Sequence, residues 1–143
     1  MYRSPVDLYL DEWVYELIEL IERTRARRIF IDSLGDLRRA AVDELRFREY
    51  LYSLLQRCAN QQISVMMSQE IPALFGISHL SQDGISHLSD NVVLLQFVLR
   101  DAQLRRAVTV LKTRATGHDP EVRDFKITPQ GIVLDEPHSN PTR

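Results

Sequence analysis

Two short apolar runs, Ile29-Phe30-Ile31 and Ile63 to Met67, bracket a segment in which Phe47, Tyr50, Leu51, Leu54, Leu55 and Cys58 recur at i, i+3, i+4 and i+7. Runs this short and this rich in strand formers are strands, and the segment between them has the period of an amphipathic helix. A strand, a helix and a strand in that order, each strand apolar on both faces, indicates a parallel sheet covered by helices. The chain is therefore expected to be α/β, with a mostly parallel sheet, flanking helices and both strands buried.

The remaining segments extend this pattern. After Asp11 and Glu12, the residues Val14, Leu17, Ile18 and Ile21 recur at helical spacing, with Glu16, Glu19, Glu22 and Arg23 on the other side. Val92 to Val98 and Ala107 to Leu111 read as strands, with Leu99 to Arg106 as a charged turn. Phe125 to Thr128, Pro129-Gln130-Gly131 and Ile132 to Leu134 have the composition of an antiparallel hairpin, in which Gly131 supplies a positive φ. Residues 1–135 form the expected domain and 136–143 a tail. Between the second strand and Val92 lies a loop, Glu70 to Ser89, holding a tandem octapeptide, GISHLSQD followed by GISHLSDN.

Composition removes several functions. A net charge of -2 over 143 residues gives no general attraction to phosphate backbones or anionic lipid, so nucleic-acid binding is not expected. No apolar run approaches the roughly 18 to 20 residues of a membrane span, and Met1 to Pro5 has no apolar stretch of the signal-peptide type. A cytoplasmic protein is expected. Cys58 is the single cysteine, so no internal disulfide forms. It falls on the apolar face of its helix and reads as a core residue rather than a nucleophile.

Two features carry chemistry. Asp32 ends the first strand, where a carboxylate emerges at the sheet edge and can hold a magnesium ion; a strand-terminal aspartate is also a common turn residue or helix cap. Lys112 and Arg114 are two apart on a predicted strand, so a point charge and a guanidinium fork project from one face, a pattern able to clamp phosphate. Charges on an edge strand also discourage aggregation, and spacing alone does not decide between the two roles. Only Lys112 and Lys126 are lysines, so any lysine chemistry has two candidates.

Taken together, SPVDLYLDEWVYELIELIERTRARRIFIDSL, GISHLSDNVVLLQFV and RRAVTVLKTRATGHDPEVRDFKITPQGIVL resemble, in order and spacing, the second half of a KaiC-type domain of the RecA superfamily. The resemblance runs to about Leu134 and implies a partial RecA-like core from a ring-forming ATPase, with ATP and magnesium bound between subunits. On this resemblance Asp32 takes the Walker B place as magnesium ligand, with Ser33 beside it. Lys112 and Arg114 are the fingers that reach a neighbour's phosphates, and His118 lies near the same nucleotide. Ser68 and Gln69 fall where the family places polar residues that sense the γ-phosphate. Some relatives phosphorylate a Ser-Thr pair before the DNVVLL-like strand; here Ser86 is followed by His87, so the pair is broken and phosphorylation is not expected.

A Walker A loop needs phosphate-surrounding glycines followed by Gly-Lys-Ser or Gly-Lys-Thr. No Gly-Lys pair occurs anywhere in this sequence. In the family that loop and the catalytic glutamates precede the segment resembling Ser4 onward, so the chain is not expected to hydrolyse ATP alone. The P-loop strand of such sheets lies between the strands resembling Ile63 to Met67 and Val92 to Val98; without it those strands must pair directly, accept a strand from another chain or leave unpaired backbone groups and exposed apolar faces, so a self-associating or poorly soluble chain is expected.

Among the remaining residues, His79 and His87 recur in the octapeptide without a cysteine or carboxylate cluster to complete a metal site. Trp13 and Tyr15 are expected to pack. Two functions stand: a component of a shared nucleotide site, and a non-catalytic adaptor or regulator that binds a KaiC-like partner in signalling. DNA binding through the loops is a third, against which the acidic balance counts.

Overall fold

The computed structural model describes residues 9–41, 43–71, 87–114 and 116–135. They fall in two compact units, Met1–Ile71 and Pro72–Arg143.

In the first unit α1 (Leu10–Thr24) leads to β1 (Arg28–Ile31), α2 (Leu34–Ala40), α3 (Glu44–Asn60) and β2 (Ser64–Met67). Asp11 and Glu12 in the first turn of α1 and Arg23 in its last complement the helix dipole. Asp43 caps α3 by accepting a 2.8 Å hydrogen bond from the Arg46 N–H. The apolar stripes hold Leu10, Leu17 and Ile21 of α1 and Phe47, Leu51, Leu54 and Cys58 of α3; these are buried, as are Leu34, Leu37, Ile31 and Ile63. Each large side chain buried this way contributes about 1.5–3 kcal/mol. The Arg57–Glu22 bridge at 2.8 Å also joins α1 and α3, but both partners are about half exposed and the pair adds little beside the core.

β1 and β2 pair in parallel, with Phe30 opposite Met66 and Ile31 opposite Met67. Burial is one-sided, contrary to the expectation of strands covered on both faces. Ile31 is buried, whereas Phe30 and Met66 are largely exposed. The two-residue strand period places Ile29, Ile31, Val65 and Met67 on one face and Phe30 and Met66 on the other. α3 packs against β2. Tyr15, expected to pack, is also exposed. α2 was not legible from periodicity because its seven residues barely make two turns.

The second unit is a four-stranded sheet in the order β3 (Asn91–Arg100), β4 (Gln103–Thr113), β5 (Arg123–Thr128), β6 (Gly131–Leu134), antiparallel throughout. The expectation of a mostly parallel sheet is therefore corrected: the only parallel pair among the described residues is β1 with β2. Connection length gives the reason. Parallel neighbours need a crossover of about a dozen residues or more, and the links from β3 to β6 are too short for one. The charged turn expected over Leu99 to Arg106 shrinks to Asp101 and Ala102, whose φ angles of 50° and 57° suit a two-residue hairpin turn. The hairpin of β5 and β6 forms as expected, with Gly131 at φ 114°. Residues 136–143, the expected tail, lie outside the described residues.

Candidate functional site

In-register parallel pairing brings the carboxyl ends of β1 and β2 side by side, and the residue that follows each strand is polar. Ser68 N–H donates to the Ile31 carbonyl at 3.0 Å, and Leu34 N–H donates to the Ser68 carbonyl at 2.9 Å. These bonds fix the backbone around Asp32, Ser33 and Ser68. The Ser68 hydroxyl donates to the Asp32 carboxylate. The Ser33 hydroxyl lies 3.4 Å from Asp36 Oδ2, and Asp36 also pairs with Arg39. The structure brings Asp32, Ser33 and Ser68, the residues expected in this place, together at one edge of the β1–β2 pair. Asp36 was missed, although Ser33-x-x-Asp36 has the spacing of a helix-start box.

The Asp32 carboxylate with the Ser68 hydroxyl on it is a hard-oxygen pair. Magnesium is commonly held by one or two carboxylates, its remaining positions taken by phosphate and water. Among the described residues no group of three or more His, Cys, Asp and Glu gathers to hold a metal. The residues present fit a magnesium ion that arrives with a phosphate and do not form a complete cage.

The second unit holds the other predicted residues. Lys112 lies in β4, but Arg114 sits one residue past the end of that strand rather than on it. Lys112 Nζ donates to the Ser89 carbonyl at 2.8 Å. Arg114 Nη2 donates to the His87 carbonyl at 3.2 Å, and its Nη1 lies 3.1 Å from Asp90 Oδ1. Asp90 was missed by sequence reasoning. Its signal was present, because the octapeptide copies agree through six positions and then read Gln82-Asp83 and Asp90-Asn91.

His118 is oriented by Thr113. The Thr113 hydroxyl is 2.5 Å from the Thr116 carbonyl and 3.2 Å from His118 Nδ1. A carbonyl only accepts, so the hydroxyl donates to it and accepts from the His118 Nδ1–H. In the neutral ring this leaves Nε2 as the acceptor. Lys112 and Arg114 thus meet the segment His87 to Asp90, whereas His118 is tied to Thr113 between them. Ser86 and His79 lie outside the described residues. Burial pushes the Cys58 thiol pKa up, against a smaller lowering by Arg57, which accords with a core residue. Among the described residues no helix is long and apolar enough to cross a membrane.

The sequence profile described as ATPase: KaiC matches residues 7–139. The chain is 30% identical over 140 residues to the circadian clock protein KaiC3 of Synechocystis, covering 98% of this chain and 28% of that protein. It is 30% identical over 136 residues to the circadian clock oscillator protein KaiC of Synechococcus elongatus, covering 95% of this chain and 26% of the relative. The chain thus spans about a quarter of the length of these curated relatives. Its fold is similar to the crystal structure of a KaiC-like protein from the hyperthermophilic archaeon Pyrococcus horikoshii. The TM-score is 0.75 at 25% identity, and the match covers 89% of this chain and 57% of that one.

Proposed function

This chain belongs to the KaiC family of RecA-type ATPases, and on that premise we propose that it acts as the C-terminal portion of a KaiC-type ATPase domain, contributing to an ATP site shared between subunits. Residues 1–135 make up that portion and 136–143 a tail. Asp32, with Ser33 and Ser68, takes the Walker B place and holds magnesium, which when bound polarises the phosphate oxygens of ATP. Lys112 and Arg114 reach the phosphates of a nucleotide held by a neighbouring subunit, and His118 lies beside them. The phosphate-binding loop comes from outside this sequence, which has no Gly-Lys pair. Assembly is by self-association or with a KaiC-like subunit, in a ring.

The observation that carries this reading is the Ser68 hydroxyl held on Asp32 at the carboxyl ends of adjacent parallel strands, where α/β sheets place their ligands. The test is magnesium-dependent retention of ATP by a mixed assembly of this chain with a KaiC-family subunit that carries an intact Gly-Lys-Ser or Gly-Lys-Thr loop. Asp32→Asn is expected to weaken retention about tenfold or more, the equivalent of about 1.4 kcal/mol. Retention equal to the unsubstituted chain sinks the Walker B assignment.

A second reading, an adaptor that binds a KaiC-like partner without acting at its nucleotide, draws on the missing Gly-Lys pair. It requires binding and partner turnover that both survive simultaneous replacement of Asp32, Lys112 and Arg114 by alanine.

A further inference from the structure

The second octapeptide copy has no part in the nucleotide reading, yet its described residues contact both finger side chains. Asn91 pairs with Thr113 and Val92 with Lys112. Continuing this antiparallel ladder by one step sets Asp90 opposite Arg114, beyond the end of β4. There the segment His87 to Asp90 takes over from the strand. The Ser89 carbonyl accepts from Lys112 Nζ at 2.8 Å and the His87 carbonyl from Arg114 Nη2 at 3.2 Å, while Asp90 Oδ1 meets Arg114 Nη1 at 3.1 Å.

We infer that His87 to Asp90 is a strap that aims the finger residues, and that Asp90 is the positioning residue for Arg114. The inference rests on reading Lys112 and Arg114 as fingers. A guanidinium is a rigid planar fork with five N–H donors. Holding one arm on a carbonyl and the other on a carboxylate fixes both the position and the plane of the fork, and these two contacts engage two of the five donors. A single contact would leave the plane free to turn about it.

The pair is open to water, with the Arg114 and Asp90 side chains 59% and 69% exposed, so it contributes little to folding. Its consequence is orientation, and that separates it from a structural role. In the first octapeptide copy the equivalent position is Gln82, a neutral amide. Asp90 is therefore the substitution within the repeat that supplies a charge for Arg114.

The test compares Asp90→Asn, Asp90→Glu and Arg114→Ala in the same mixed assembly with a loop-bearing KaiC-family subunit, using MgATP and measuring kcat and KM separately. Misaiming a group by about 1 Å costs on the order of 10²-fold in rate. Asp90→Asn is expected to lower kcat at least tenfold with KM within about twofold, and Asp90→Glu to restore most of the loss. Thermal unfolding of the chain alone should move by less than about 2 °C in either variant. Unchanged kcat in Asp90→Asn where Arg114→Ala abolishes turnover overturns the strap and leaves the finger reading intact. Unchanged kcat in Arg114→Ala overturns both.

Discussion

Ser68, one residue past β2, donates its hydroxyl to the carboxylate of Asp32, one residue past β1. Because β1 and β2 pair in register, the two residues meet without any loop rearrangement. A hydrogen bond to an ionised group is worth about 1.5–3 kcal/mol where water is excluded and less at an open edge. Ser68→Ala is accordingly expected to weaken magnesium-dependent ATP retention in the mixed assembly by about three- to tenfold, less than Asp32→Asn, with no change in the far-ultraviolet circular dichroism of the chain. Equal losses in the two variants would show that Ser68 does more than orient Asp32.

Among the described residues of the second unit, Asp124 is a buried charge. Its side chain is 4% exposed, with Oδ2 3.4 Å from Arg105 Nη1 and Oδ1 3.6 Å from Arg100 Nε. It thereby ties β5 to β3 and β4. Removing one partner of a buried ion pair costs about 3–5 kcal/mol, and the partial exposure of both arginines reduces this because they can rehydrate. Asp124→Ala is expected to destabilise the chain by about 2 kcal/mol in urea unfolding. A loss under about 0.5 kcal/mol would mean that the pair contributes register but no net stability.

Along β3, Val93, Leu95, Phe97 and Leu99 share one face, and all four are exposed. Among the described residues β3 is also an edge strand, paired with β4 alone. An exposed apolar edge of this length invites another chain. Light scattering of the purified chain is expected to show association that grows with concentration, and Leu95→Lys should shift it toward monomer. A monodisperse monomer at high concentration would contradict the self-association reading.

Much of the fold was legible because hydrophobic period reports burial. The stripe of α3 through Phe47, Leu51, Leu54 and Cys58 and the runs that became β1 and β2 were readable in this way. The relation between strands was not, because an apolar run pairs either way and only the links decide. Asp101-Ala102 contains neither glycine nor proline to mark a two-residue turn, so the turn was read as the longer charged stretch Leu99 to Arg106 and β3 and β4 appeared shorter than they are. Asp32 in the first unit and Lys112 and Arg114 in the second stood out by residue type and spacing, whereas Ser68 and His118 were implied only by the family resemblance. The Asp90 contact to Arg114 was not legible, because it depends on the register of β3 with β4, which brings Asn91 opposite Thr113.

Whether this chain acts on a nucleotide held by its neighbour is read from ATP turnover by the mixed assembly with Arg114→Ala in this chain alone. Removing a guanidinium that stabilises charge on a transferring phosphoryl group costs about 10³-fold or more in kcat. A fall of that order is expected with the assembly intact. Turnover unchanged in an assembly of unchanged composition would contradict it and leave the chain an adaptor.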